Sequence, residues 1–260
     1  MIHNTAIIDP KANISANANI GAYCTIGPNV TIEDNVIIHS HVNIAGKTSI
    51  GRGTTIYSFA SIGGDPQDLK YSGEDTSLVI GNNNKIRECV TINIGTTGGG
   101  GQTKIGDNCL FMASSHIAHD CVIGNRVIIA NNVPVGGHAN IGDNVILGGN
   151  SAVQQFTRIG EMAMIGGMCG VVKDVIPYGM VIGNRCVLMG INLIGLRRKD
   201  ISNKEILSLT EAYKEIFRTE NLSENLSKLN DKFKDNTLVN EVIEFITKDK
   251  KRPICTPYSK

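Results

Sequence analysis

One residue in six constrains this chain more than anything else in it. Isoleucine recurs at every sixth position from Ile2 through Ile62 without a miss, and the beat resumes at Ile80, Ile86 and Ile92 and again from Ile105 to Val171. Four places after each of these the residue is nearly always small or β-branched, as at Ala12, Ala18, Cys24, Val30 and Val36. Glycine often follows the aliphatic position directly, as at Gly21, Gly27, Gly51, Gly106, Gly124 and Gly142, where it is expected to supply corner backbone angles closed to other residues. Each hexad therefore reads as a short strand and a corner, with one large and one small side chain turned inward. Three hexads make one triangular coil of a parallel β-helix, so residues 18 apart superpose at about 4.8 Å.

Composition agrees with stacked rows of aliphatics rather than a conventional core: 29 glycines, 5% aromatics and no Trp in 260 residues. A formal net charge of +1 argues against a nucleic-acid binder driven by bulk charge. No window approaches the roughly 18 apolar residues of a membrane span, and MIHNTAIIDP is not a secretory signal. The seven cysteines form no CxxC pair. Cys24, Cys89, Cys109, Cys121 and Cys169 are expected as buried free thiols, which suits a reducing cytoplasm.

Two segments leave the repeat. Residues 63–79, GGDPQDLKYSGEDTSLV, are expected to take up nearly one coil, and residues 95–102, GTTGGGGQ, form a glycine-rich loop that shifts the phase. Loops projecting from a coil are natural walls for a site. The β-helix is expected over 1–189 and a helical domain over 190–260. That domain opens on a capping box at Ser202–Glu205, continues through Ile206, Leu209, Tyr213, Ile216 and Phe217, and adds helices near 223–233 and 237–248. It would cover the open strand edges of the last coil.

The 18-residue rule also picks out a site. It superposes His119, Gly137 and Gln155, and it superposes Asp120, His138 and Phe156. With His116, three imidazoles, a carboxylate, an amide and a bare glycine share one outer patch over three coils. His119 suits a general base, Asp120 would hold its tautomer, and the Gly137 N–H suits a developing oxyanion. These are the parts of an acyl transfer to a hydroxyl or amine by direct attack. Zinc held by His116, His119 and His138 is the competing reading, because γ-class carbonic anhydrases bind zinc through outward histidines on this architecture. Spacing of three around a corner does not obviously converge the rings, and no metal is expected.

The stretches SIGGDPQDLKYSGE, GGGGQTKIGDN, HIAHDCVIGN, GGHANIGDN, QQFTRIG and AYKEIFR resemble the UDP-N-acetylglucosamine O-acyltransferases that begin lipid A biosynthesis, over essentially the whole chain. The hexads alone resemble only the wider hexapeptide-repeat acyltransferases. The resemblance implies a left-handed coil, a homotrimer with sites in clefts between subunits, and a cytoplasmic enzyme. Its donor would be a 3-hydroxyacyl chain on the phosphopantetheine arm of acyl carrier protein, with no other cofactor, no nucleic acid and no membrane insertion. It implies His119 as base, Asp120 as its partner and Gly137 as oxyanion amide. Asp68 and Lys70 would grip the sugar nucleotide from a neighbouring subunit, and His116, His138 and Gln155 would touch substrate. Asn192 and Arg198 would hold the nucleotide end, and Gly167 would leave the acyl groove open to a long chain. Arg126, Arg158, Lys173 and the tail would meet the acidic carrier protein. The chain departs from the family's pattern at Asn93, Gln154, Ile194 and Lys199, departures that bear on how the nucleotide is bound. Sister N-acyltransferases and acetyltransferases share the repeat but lack the DLKY insert and the long helical tail.

Overall fold

In the computed structural model of the chain the described residues are 1–229, 231–233, 235–249 and 251–257. Short strands of mostly two residues stack into three sheets of nine, eight and ten strands, each taking every third strand in sequence until the ten-stranded sheet ends on two consecutive ones. The fold is a left-handed parallel β-helix with a small helical C-terminal region. The 18-residue register is set from the first pairing, Ile7 on Thr25 and Ile8 on Ile26. Ile20, Ile26, Ile32, Ile38 and Ile44 form one inward column set, Ala18, Cys24, Val30, Val36 and Val42 the other, and all ten are buried.

The corners are not made as the glycine pattern suggests. Positive φ falls three residues after the aliphatic position, at Asn35, His41, Phe59, Asp120, Asn132, His138 and Phe156 among others, and on none of Gly21, Gly27, Gly51, Gly106, Gly124 or Gly142. Most of those glycines instead let one coil approach the next. A Cβ on Gly106 would stand 2.6 Å from the Gly124 carbonyl oxygen, and one on Gly142 2.6 Å from Glu161 N.

The first insert does not use up a coil. Ser61 pairs with Thr91, a spacing of 30, so one coil is lengthened by twelve residues, two whole hexads, and the phase survives. The second insert makes Thr91 pair with His116, a spacing of 25, and the seven extra residues move the phase by one. Cys24, Cys109, Cys121 and Cys169 are buried free thiols, but Cys89 is exposed. It occupies a positive-φ corner, and the neighbouring Val90 fills the inward place.

The last sheet ends in an antiparallel hairpin, Gly179–Ile182 against Val187–Ile191. Helix α1 (Leu193–Arg198), which the periodicity does not announce, follows directly. Helix α2 (Asn203–Ile216) opens on the Ser202–Glu205 capping box and buries Ile206, Leu209, Ala212 and Ile216. The stretch expected to be helical over 223–233 divides into α3 (Leu222–Ser227) and a 3-10 turn at Asp231–Phe233, with Asn230 outside the described residues. Helix α4 is Thr237–Lys248. The chain end covers the last coil: Cys255 N donates to Asp174 O at 2.7 Å, and Leu188 N to Thr256 O at 3.1 Å. No helix among the described residues is long and apolar enough to cross a membrane.

Candidate active site

The parallel stacking delivers the predicted column. The His138 N–H donates to His119 O at 3.0 Å, and the Phe156 N–H to Gly137 O at 2.9 Å, so these corners sit on consecutive coils. Asp120, His138 and Phe156 are the left-handed residues of their corners, with φ of 59°, 60° and 64°. Asp and His tolerate that region better than β-branched residues would.

His119 Nδ1 lies 2.7 Å from Asp120 Oδ2, and the imidazole is 12% exposed. With the proton on Nδ1 donated to the carboxylate, Nε2 presents its lone pair outward. Asp120 was expected on the outer patch and is instead fully covered. The reason is the glycine-rich insert, which folds over it. Thr96 N donates to Asp120 Oδ1 at 2.9 Å and Thr96 Oγ1 to Oδ2 at 2.6 Å. From below, Asp120 N donates to Thr103 Oγ1 at 2.8 Å. Thr96, Thr103 and the insert are the parts of the site that the sequence reading missed.

His138 Nδ1 approaches the same Oδ2 at 3.8 Å, its ring edge-on to His119 at 5.0 Å and stacked on Phe156 at 4.3 Å and 6°. His116 Nδ1 lies 2.7 Å from Thr91 Oγ1. Burial pushes the proton affinity of His116 down, and the neighbouring His119 adds to the effect. Burial also lowers that of His138, partly offset by the Asp120 charge; His119 lowers it further, and Asp68 raises it. Asp68 belongs to the first insert. There it accepts from Lys70 N at 3.0 Å, and the Lys70 side chain is exposed.

Gly137 has two distinct uses. In the column of Asp107, Asn125 and Asp143 each corner N–H is capped by the side chain one coil above: Asp107 N donates to Asn125 Oδ1 at 2.9 Å and Asn125 N to Asp143 Oδ1 at 2.8 Å. No such cap forms in the column of His119, Gly137 and Gln155, and the Gly137 N–H finds no acceptor among the described residues. A buried donor left free calls for an explanation, and a ligand oxygen supplies one. Gly137 also makes room, since a Cβ there would stand 2.8 Å from His119 Cε1 and Nε2.

Gln155 continues the column, whereas Gly167 and Asn192 lie at other corners of the coil. Gln155 and Gly167 are exposed. Asn192 caps α1, accepting from Gly195 N at 3.0 Å and donating to Met162 O at 2.9 Å, so its amide ties the helix to the coil. Arg198 ends α1 and is exposed. The departures have local partners as well. Asn93 donates to Asp65 O at 3.0 Å and fastens the start of the first insert, and Gln154 accepts from Arg252 Nη2 at 3.3 Å. Ile194 is exposed, and Lys199 is the C-cap of α1. Arg158, expected to face a partner, is consumed by the tail, with Nε 2.7 Å from Asp174 Oδ2 and its guanidinium 4.4 Å over the Phe245 ring. Arg126 stays half exposed beside Asp143 at 3.5 Å.

His119, Asp120 and His138 have ligand atoms within 4.8 Å of one another, the geometry from which a metal site would be built. Their bonding does not suit zinc. Two ligands on a tetrahedral zinc stand about 3.3 Å apart, and each needs a free lone pair. His119 Nδ1 and Asp120 Oδ2 are at hydrogen-bond distance instead, and Thr96 occupies the carboxylate from its other side. Two cavities of about 430 and 890 Å³ lie between coil and tail, one lined by Arg158 and Phe245 and the other by Lys173 and Phe217, and neither includes the histidines.

Comparison with known proteins agrees with this picture. Residues 174–255 match the family described as UDP N-acetylglucosamine O-acyltransferase, domain 2, and residues 102–137 match bacterial transferase hexapeptide repeats. The acyl-[acyl-carrier-protein]–UDP-N-acetylglucosamine O-acyltransferase of Rhizobium etli is 45% identical over 213 residues, 82% of this chain and 78% of that protein. The solved structure of LpxA from Acinetobacter baumannii superposes with a TM-score of 0.94 at 45% identity, over 97% of this chain and 99% of the other. The UDP-N-acetylglucosamine O-acyltransferase of Moraxella catarrhalis gives 0.94 at 46%, over 98% and 99%.

Proposed function

The chain belongs to the family of acyl-[acyl-carrier-protein]–UDP-N-acetylglucosamine O-acyltransferases, and on that premise we propose how its column performs the transfer. His119 Nε2 accepts the proton of the sugar 3-hydroxyl while that oxygen attacks the thioester carbonyl of a 3-hydroxyacyl chain carried on acyl carrier protein. The Asp120 carboxylate, on Nδ1, keeps Nε2 unprotonated beforehand and stabilises the imidazolium afterwards. The free Gly137 N–H receives the carbonyl oxygen as it becomes an oxyanion. Collapse of that intermediate expels the phosphopantetheine thiolate, which takes the proton back from His119. No covalent acyl-enzyme is needed, and the product is the 3-O-acyl sugar nucleotide that opens lipid A synthesis.

Asp68, Lys70, His116, His138 and Gln155 line the sugar end of the face, where lowered proton affinity keeps His116 and His138 as neutral hydrogen-bonding groups. Arg198 meets the diphosphate, Asn192 sets the helix that presents it, and Gly167 leaves the acyl groove open. A histidine column that neither cavity includes suits a cleft completed by a neighbouring subunit, and we read the enzyme as a cytoplasmic homotrimer. Arg126 and Lys173, with the tail, remain for the carrier protein.

The observation that carries the reading is the alignment of Asp120, His119 and the unpaired Gly137 N–H on one corner column. Purified enzyme, a panel of acyl carrier proteins and UDP-N-acetylglucosamine, with product mass as readout, test it. His119→Ala should abolish acylation while the assembly stays intact; near-normal turnover would overturn the base assignment. An O-linked product separates this reading from a sister N-acyltransferase.

A further inference from the structure

The glycine-rich insert, residues 95–102, leaves the coil and rejoins it where Gln102 starts a strand, and one residue holds both of its ends. Gly95 N donates to Ser77 O at 3.1 Å and Ser77 N to Gly101 O at 2.9 Å, while Gln102 Nε2 reaches Ser77 Oγ at 3.2 Å. Inside it Thr96 O accepts from Gly99 N at 3.1 Å and from Gly101 N at 2.8 Å. This tight closure lays the loop on a single carboxylate. Thr96 gives Asp120 both its N–H and its hydroxyl, and a Cβ on Gly99 would overlap the carboxyl group.

We propose that Thr96 is a positioning residue for the acyl transfer, and that residues 95–102 are a strap fixing Asp120 in the one orientation that serves His119. The inference rests on the reading of His119 as the base. The Asp120 backbone is fixed at its corner, but its side-chain torsions are not, and two imidazoles compete for it. Oδ2 is 2.7 Å from His119 Nδ1 and 3.8 Å from His138 Nδ1. The two Thr96 donors engage both oxygens at once, which a rotated carboxylate cannot satisfy. Without them Asp120 can turn toward His138. His119 then loses the partner that holds its proton on Nδ1, and its base nitrogen is protonated in a share of molecules. Gly99 belongs to the same device, because any side chain there would take the carboxylate's place.

A double-mutant cycle in the full-length enzyme tests this. kcat and KM are measured with acyl carrier protein thioester and UDP-N-acetylglucosamine for Thr96→Val, Thr96→Ser, Asp120→Ala, the Thr96→Val/Asp120→Ala double variant and His119→Ala. Thr96→Val should lower kcat by roughly tenfold, the scale of one hydrogen bond to a charged group, with the sugar-nucleotide KM unchanged. Thr96→Ser should recover most of the loss, and Thr96→Val should cost nothing further once Asp120 is alanine. Wild-type turnover in Thr96→Val, or an equal loss in both backgrounds, would overturn the proposal. If Thr96→Val does not fold, Gly99→Ala replaces it in the cycle and faces the same criterion. Activity surviving in His119→Ala would instead sink the base assignment, so the two failures are distinct.

Discussion

A methyl group on Gly137 would stand 2.8 Å from the Cε1 and Nε2 atoms of His119. The glycine that offers its N–H to the carbonyl oxygen is therefore also the reason the imidazole can lie where it does. Gly137→Ala leaves the N–H in place but pushes the ring off its line. Proton transfer by a positioned base contributes on the order of a hundredfold to ten-thousandfold in kcat, and a displaced ring forfeits much of it. Steady-state kinetics should show at least about a hundredfold loss in kcat at nearly unchanged thermal stability. A loss below threefold would show that the ring has room to move.

Asp120 acts on the reaction only through His119, so its removal should cost less than removal of the base. Where such units have been dissected, loss of the orienting carboxylate costs roughly one to two orders of magnitude less than loss of the base. Asp120→Ala and His119→Ala compared under the same conditions should be ordered that way. Equal or reversed losses would mean that Asp120 contacts substrate itself.

Much of this site follows from counting by 18. His119, Gly137 and Gln155 fall into one column wherever the repeat is unbroken, and the pairings across residues 116–171 obey that count. The contact between Thr96 and Asp120 needed the offset of 25 across the second insert, and a loop's length does not reveal which corner it lands on. The glycines after each aliphatic residue mislead for a related reason. A missing side chain serves positive φ and close approach equally well, and only the distance from Gly106 to Gly124 O shows which applies. Arg158 reads in the sequence as a surface basic residue because the tail partners that cover it, Phe245 and Asp249, lie some ninety positions away.

The half-buried histidines give the fold a pH dependence of definite sign. Burial, and secondarily the His119 charge, hold the proton affinity of His116 below the ordinary imidazole value of 6.5. The unfolded chain therefore binds the proton first as pH falls. This contribution to stability is complete above pH 6.5 and is lost progressively between 6.5 and the lowered folded value. Denaturation midpoints should fall as pH drops below 6.5. His116→Asn, which keeps a partner for Thr91 but cannot titrate, should flatten part of that slope. An identical slope in the variant would remove His116 as its source.

Arg158 joins coil to tail through a carboxylate with almost no exposure. Its backbone N–H and Nε reach the two oxygens of Asp174 at 2.9 and 2.7 Å, and Nη2 donates to Asp249 O at 3.0 Å. The only other cation near Asp174 among the described residues is Arg252, at 3.9 Å. Breaking a buried pair by removing one partner costs about 3–5 kcal/mol, because the remaining charge is left uncompensated. Arg158→Ala should lower stability on that scale and release α4, since the ring of Phe245 loses its guanidinium as well. Limited proteolysis should then cut between the coil and α4 at protease concentrations that leave the parent chain whole. Arg158→Ala paired with Asp174→Asn should recover part of the loss, because no charge remains buried alone. Unchanged protease resistance in the single variant would show that the tail is held by its apolar contacts and the pairing of Cys255 with Asp174 instead.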